Sequence, residues 1–527
     1  MVHKALSIGS GQFNPHVFYY PTLHLYLLAA TFGAYFAGGY AVGAFPSLQD
    51  FELSFFLDPS PFHLLGRSLS ALMGTASVWL TYRIAQILGG RRAGQISALF
   101  LAVCFLHVRD SHFATTDVPA TFYLLASCVL TMRYTQSGAQ RDLYLGSALF
   151  GLGVSTKYNV AFCAVTVLIT ALHGAGPIRY TVRRLLVATG FMTLAFVTGS
   201  PYIALDFTAF WRDIHSVRAL MYQEPPVDLG RGWLYYPGFV LPLGLGWPLL
   251  CLGLAGAVRW TLRMRLAEVA LLAGLASYYL MTGSGKMVYF RYTLPMIPLL
   301  CLAAGLLVNA IARTQIRAWA IALIIAAPTA WASYSHDQLL ARTDTRLLAV
   351  QWIEEHVPAG AKIARCCSTS LFGHPQLQLT ATAAERQRSE LSQTGHTFRR
   401  WRYLQAINDN ISRPSYDIVE LRRSDLSGYS WIWSQYDLDR LQRDGVDWVV
   451  VQEHPHLSFS NADAPFVDSL AKHPVHIFDP FLSAATPRYD QIDAYYLPVS
   501  GFAGIDRAGP KIAIYRISTG LDAPTRD

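Results

Sequence analysis

Charge is what this sequence has least of. Only 14% of its 527 residues are charged and 52% are hydrophobic, whereas an ordinary soluble domain is about a quarter charged. With a mean hydropathy of +0.28, a soluble core alone is excluded. The shortage is uneven: long stretches before about residue 335 lack acids and bases, while the remainder reads like an ordinary globular chain, which places the main boundary near Ser335. Cysteine is sparse too. Five of the seven (Cys104, Cys128, Cys163, Cys251 and Cys301) lie in apolar runs, where cysteine acts as a small hydrophobe, so no disulfide framework is expected. Cys366 and Cys367 are neighbours whose bridge would be strained, which leaves their redox state open. Several motifs are missing: a Gly-rich loop ending in Gly-Lys-Ser/Thr, His-Glu-x-x-His and Gly-x-Ser-x-Gly. There is no internal repeat, no low-complexity segment and no cleavable signal peptide, since Met1–Pro15 is polar and the apolar run after it lacks a cleavage pattern.

What is present is a series of apolar runs. A helix needs about 20 apolar residues to cross the hydrocarbon. Spans on that measure centre on 65–88, 94–108, 118–134, 143–158, 160–174, 185–204, 236–257, 266–283, 292–312 and 317–334, with an ambiguous further run at 19–44. The expected fold class is therefore a polytopic α-helical membrane protein of about 10–11 spans, with residues 336–527 as a C-terminal extracytoplasmic α/β domain. Connectors carrying Arg91 and Arg92, Arg179, Arg183 and Arg184, Arg259, Arg263 and Arg265, and Arg313 and Arg317 alternate with the others, and the positive-inside bias assigns them to the cytoplasm. That bias accounts for the net charge of +8 without nucleic acid.

The opposite connectors should be poor in Lys and Arg, yet they carry them beside carboxylates. Arg67, then Arg109, Asp110, His112 and Asp117, then Lys157, then Lys286 with Arg291, and the long loop 205–235 all fall on that face. Each has a bland reading: Arg67 can snorkel, Asp117 can favour a helix N-terminus, and Lys157 and Arg291 can anchor helix ends. Their recurrence on the depleted face favours one functional cluster, because charge at membrane depth is costly. Fixed cations with one or two carboxylates suit an anionic lipid headgroup and a nucleophile that must lose a proton.

The strings Asn14-Pro15-His16 with Tyr19-Tyr20-Pro21-Thr22-Leu23, Gly66-Arg67-Ser68-Leu69-Ser70-Ala71-Leu72, Ser111-His112-Phe113-Ala114-Thr115-Thr116-Asp117-Val118-Pro119, Thr156-Lys157-Tyr158-Asn159 and Arg291-Tyr292-Thr293-Leu294-Pro295 occur in this order. Over residues 13–310 the chain resembles the phospholipid-carrier-dependent glycosyltransferases of the C-type superfamily, the family of the protein O-mannosyltransferases and the bacterial aminoarabinose transferase. The resemblance implies transfer of a sugar, with inversion, from a polyprenyl-phosphate donor to a glycan, lipid or protein acceptor outside a bacterial cytoplasmic (inner) membrane. It sets Arg67 near the donor phosphate, Asp117 at an acidic position of the second outer loop and Lys157 and Arg291 at recurrent basic positions; taken with the rest of the charged cluster, Asp117 and Asp110 are the catalytic candidates and Arg67, Lys157, Arg291 and Lys286 the expected holders of the donor phosphate. His112, Tyr20 and Tyr292 are expected to line the site, and a divalent metal is left open. Such chains normally begin with a helix and an acidic pair that supplies the base; Met1-Val2-His3-Lys4 resembles the stretch just after that pair, so the base is expected to be missing and transfer weak. A transporter and a non-catalytic membrane homologue are the rival readings.

In the tail, Asp344 to Pro358 reads as an amphipathic helix, and Lys362-Ile363, Trp448 to Val451 and Ile512 to Tyr515 read as buried strands. His374, His454 and His456 read as scattered surface histidines.

Overall fold

The computed structural model describes residues 1–9, 11–174, 177–223, 227–368, 374–392, 413–424, 431–433, 438–455, 464–470, 474–493 and 495–517. His456, one of the tail histidines, lies outside the described residues. The chain forms two compact units, Met1–Pro46 with Ser60–Tyr334, and Ser47–Pro59 with Ser335–Asp527.

The helices in chain order are α1 (Val2–Ile8), α2 (Leu23–Ala41), α3 (Leu48–Leu57), α4 (Ser60–Gly89), α5 (Arg91–Val103), α6 (Phe105–Ser111), α7 (Asp117–Ser137), α8 (Gln140–Val154), α9 (Ala164–Thr170) and α10 (Ile178–Gly199). Then come α11 (Tyr202–Leu205), α12 (Phe207–Tyr222), α13 (Gly232–Tyr235), α14 (Leu241–Leu245), α15 (Trp247–Arg263), α16 (Leu266–Gly283), α17 (Ile297–Ile311), α18 (Gln315–Leu340) and α19 (Thr345–His356). Short 3-10 turns, Tyr158–Cys163 and Phe290–Met296, precede α9 and α17.

The first unit is the helical membrane part. Four of the described helices are long and apolar enough to cross a membrane, or up to six if each of two bent pairs counts as one span. The runs at 185–204, 266–283, 292–312 and 317–334 are among the four. Two expected spans need correction. The run 94–108 is not one rod: α5 and α6 meet at Cys104 at 60°, and the run 236–257 breaks between α14 and α15 at 116°. At the second break Gly246 has φ 77°, a left-handed backbone that glycine adopts without steric cost. The runs at 143–158 and 160–174 are met by shorter helices, α8 with 15 residues and α9 with seven. α17 is apolar all round and buried nearly all round, as a helix enclosed by others must be. Its Ala303 and Leu300 carbonyls lie against Gly256 and Gly253 of α15, and its Gly305 lies against Ser97 of α5. Small residues let these backbones approach, the usual packing device where lipid removes the hydrophobic drive.

The second unit holds a six-stranded sheet in the order β2-β3-β1-β6-β8-β7, and β4 (Arg422–Ser424) pairs with β5 (Trp431–Trp433). β1 (Lys362–Cys366) pairs in parallel with β3 (Ser415–Glu420) and β6 (Trp448–Glu453), and β3 in parallel with β2 (Gln378–Leu379). β8 (Lys511–Arg516) runs antiparallel to β6 and to β7 (His476–Phe478). Alternate residues face opposite sides: Ile363, Ile418, Val450, Ile512 and Ile514 pack with α19 residues Ala349, Val350 and Ile353, while Ala364, Val449, Val451 and Ala513 form the other face's core. The expected tail helix and strands are α19, β1, β6 and β8. Asp344 caps α19, its carboxylate accepting from the Arg346 N–H at 2.8 Å. Cys366 and Cys367 form a disulfide.

Candidate functional site

The site is assembled from the ends of elements. Asp117 opens α7, where the helix dipole favours a carboxylate. Lys157 precedes the turn Tyr158–Cys163, and Arg291 lies in the turn Phe290–Met296. These three ends meet: Lys157 Nζ donates to Asp117 Oδ1, and Arg291 Nε lies 3.7 Å from Asp117 Oδ2. Asp117 and Lys157 are 3% and 6% exposed, so the pair is nearly cut off from water. Aromatic faces complete the enclosure, with Lys157 Nζ 4.6 Å from the Tyr292 ring centre and the Arg291 guanidinium 4.3 Å from that of Tyr289.

α6 adds a second carboxylate. Asp110 is fully buried, pairs with Arg109 at 3.4 Å, and lies within electrostatic reach of Lys157. Arg109 in turn faces the Phe290 ring at 5.7 Å. Arg109, Lys157 and Arg291 thus gather with the two carboxylates Asp110 and Asp117. Buried charge is tolerated when paired, and cations gathered in such a place are an attractive seat for an anion.

Arg67 stands apart from that pairing. It is exposed on α4, and its Nε donates to the His112 carbonyl at 2.7 Å at the end of α6. His112 Nδ1 in turn lies 2.9 Å from the Val108 carbonyl. Arg67 and His112 line a groove of about 970 Å³ between α4 and the α5–α6 pair, whose other walls include Leu64, Ala71, Val78, Leu99 and Ala102. α6 thus links the two groups, carrying Asp110 into one and running into His112 of the other.

Tyr20 is half-buried and lies within electrostatic reach of Tyr292. Lys286 is half-buried, and its backbone N–H donates to the Met221 carbonyl at 2.9 Å. Among the described residues no three His, Cys, Asp or Glu side chains gather as metal ligands. His374 and His454 are buried rather than surface residues, which corrects that reading. His454 packs edge-on against Tyr489 and Tyr496.

Asp206 and Asp213, within the long loop 205–235, carry no individual signal in the sequence. Asp206 accepts from Asn14 Nδ2 at 2.8 Å, and buried Asp213 accepts from the Phe18 N–H at 2.7 Å. The Phe18 carbonyl accepts the Tyr158 hydroxyl at 3.1 Å. The segment carrying Tyr20 is thereby fastened beside Lys157.

Residues 64–204 match the family described as dolichyl-phosphate-mannose-protein mannosyltransferase. Over that span, which includes Arg67, Asp110, His112, Asp117 and Lys157, the chain is similar to the phospholipid-carrier-dependent glycosyltransferases, as its motifs indicated. No curated protein matches it in sequence. Among solved structures it is similar to ArnT from Cupriavidus metallidurans bound to undecaprenyl phosphate, at 17% identity over 64% of this chain and 58% of that one, with a TM-score of 0.45. The same protein in the apo state aligns at 12% identity over 99% and 93%, with a TM-score of 0.49. The Archaeoglobus fulgidus oligosaccharyltransferase in complex with Zn and sulfate aligns at 13% identity over 82% and 59%, with a TM-score of 0.39. The chain therefore spans under two thirds of the ArnT and oligosaccharyltransferase chains in two of these three comparisons.

Proposed function

We propose that this protein is a membrane glycosyltransferase that moves a sugar from a polyprenyl-phosphate donor to an acceptor on the extracytoplasmic side, with inversion at the anomeric carbon. The observation that carries the reading is the buried cluster in which Asp117 holds Lys157 and Arg291, with Asp110 near by, inside and beside the span that matches the family. An apolar groove with an arginine in its lining suits a lipid carrying a phosphate: the walls take the prenyl chain and Arg67 takes the headgroup.

In the proposed reaction the acceptor hydroxyl attacks the anomeric carbon, its proton passes to a carboxylate, and the bond from that carbon to the phosphate oxygen breaks. The departing phosphate keeps the electron pair, and Lys157 and Arg291 stabilise its charge. Asp117 and Asp110 are the carboxylates placed for the proton. Asp117 also holds the two cations side by side, so it positions the phosphate clamp whether or not it takes the proton.

Extracytoplasmic placement of the second unit is supported by its Cys366–Cys367 disulfide, since such bonds persist outside the reducing cytoplasm. The transporter reading draws support from the two broken helices, a feature transporters use around substrates. One experiment separates them. Protein in lipid nanodiscs should bind undecaprenyl phosphate and release it as product from a sugar-charged donor; solute flux in proteoliposomes without either would replace the glycosyltransferase with a transporter.

A further inference from the structure

The two breaks at Cys104 and between α14 and α15 leave backbone groups without helical partners inside an apolar bundle, where each unsatisfied group costs several kcal/mol. Hydroxyls on one face of α18 reach backbone groups at both breaks. Thr329, 1% exposed, accepts the Phe105 N–H at 2.8 Å and donates to the Gly244 carbonyl at 3.4 Å. One turn later Ser333 donates to the Val103 carbonyl at 3.0 Å. Cys104 Sγ also donates to the Gly244 carbonyl, at 3.2 Å. The two hydroxyls therefore satisfy the backbone on both sides of the Cys104 break, and Thr329 ties that break to the other. The approach is close: a Cβ on Gly244 would come within 3.0 Å of Leu106 on α6, and one on Gly246 within 3.7 Å of Pro328.

α6 is only seven residues long, and Asp110 lies in its last turn. Whatever fixes the start of so short a helix fixes its end. We infer that Thr329 and Ser333 are positioning residues that aim α6, and with it Asp110 and the Arg67 contact at His112, through hydrogen bonds to the broken backbone at Val103, Phe105 and Gly244. That their effect reaches sugar transfer rests on the proposed function; that they hold α6 does not.

The test compares Thr329→Val, which keeps the shape and loses the hydroxyl, with Thr329→Ser, which keeps the hydroxyl, and adds Ser333→Ala. Hydrogen–deuterium exchange is read on peptides covering residues 103–112 in nanodiscs, with a peptide from α8 as control. Thr329→Val should speed exchange at Phe105 about tenfold, the factor that loss of a buried hydrogen bond carries, with α8 unchanged and Thr329→Ser close to wild type. Ser333→Ala should give a smaller acceleration confined to the same segment, which keeps the test open if Thr329→Val fails to fold. Affinity for undecaprenyl phosphate is the second readout and should fall in the order of the exchange effects. Unchanged exchange in Thr329→Val and Ser333→Ala would overturn the inference. So would faster exchange with full lipid affinity, because α6 would then not aim the site. Faster exchange in α6 alone, in a protein that binds no polyprenyl phosphate even as wild type, would uphold the positioning of α6 and sink the glycosyltransferase reading instead.

Discussion

At the scale of single residues, the buried ion pairs separate roles that exposure alone would blur. If Lys157 and Arg291 clamp the donor phosphate as proposed, Lys157→Ala or Arg291→Ala removes a charge-assisted contact of about 1.5–3 kcal/mol, so affinity for undecaprenyl phosphate should drop roughly 10- to 100-fold. Lys157→Ala also leaves Asp117 buried without its nearest cation, so that variant should melt earlier as well. Arg67→Ala, exposed on the groove, should weaken lipid binding with little change in melting; calorimetry and a binding isotherm on each variant separate the two patterns. In the second unit, the Tyr416 hydroxyl donates to the Ile353 carbonyl at 3.2 Å and tethers α19 to β3. Burial pushes that phenol up to about 12. An unfolded phenol loses its proton near about pH 10, so between those values the folded chain keeps a proton the unfolded chain releases. Stability is therefore present below pH 10 and lost as pH rises toward 12. Tyr416→Phe should cost about 1 kcal/mol at neutral pH and flatten the alkaline loss in denaturant titrations. The legible residues were those whose type conflicts with their place: Lys157 and Arg291 are basic on connectors that the positive-inside bias should leave poor in Lys and Arg, and Asp117 is a carboxylate beside them. Asp213 was not legible, because a carboxylate in a polar loop reads as solvated until the Phe18 N–H is found against it.

At the scale of elements, uniform apolar composition reveals that a helix is buried but not where it breaks. α17 was legible because it is apolar all round, and α18 because its run is long. The Cys104 break has no local marker: Ala-Val-Cys-Phe-Leu continues an apolar run, and what permits the bend is a hydroxyl some 225 residues away in sequence. The break at Gly246 did carry one, Gly-Leu-Gly-Trp-Pro, overlooked because the hydropathy stays high across it. The α15–α17 contact offers a direct test. A Cβ on Gly256 would lie 2.3 Å from the Ala303 carbonyl oxygen, a backbone atom that cannot swing aside. Gly256→Val should destabilise the bundle by about 1–3 kcal/mol through overpacking, seen as a lower melting midpoint in detergent, while Gly190→Val, with open space around it, should not.

At the scale of the whole molecule, the expectations about sidedness can be checked without any substrate. Cysteines placed at Arg92 and Arg183 should resist an impermeant thiol reagent in intact cells, and one placed at Arg440 should react. The Cys366–Cys367 pair should resist alkylation until a reductant is added. Labelling in the reverse pattern would invert the proposed topology. The length of α4 adds a ruler. It has 30 residues and so runs about 45 Å at 1.5 Å per residue, well beyond a hydrocarbon layer of about 30 Å. With Arg91 and Arg92 marking the inner edge, the 22 residues from Gly89 back to Arg67 measure about 33 Å. On the proposed topology that distance would set the Arg67 guanidinium level with the phosphates of the outer leaflet, so a carrier lipid would reach it by sliding sideways within its own monolayer, without leaving the depth at which it already floats.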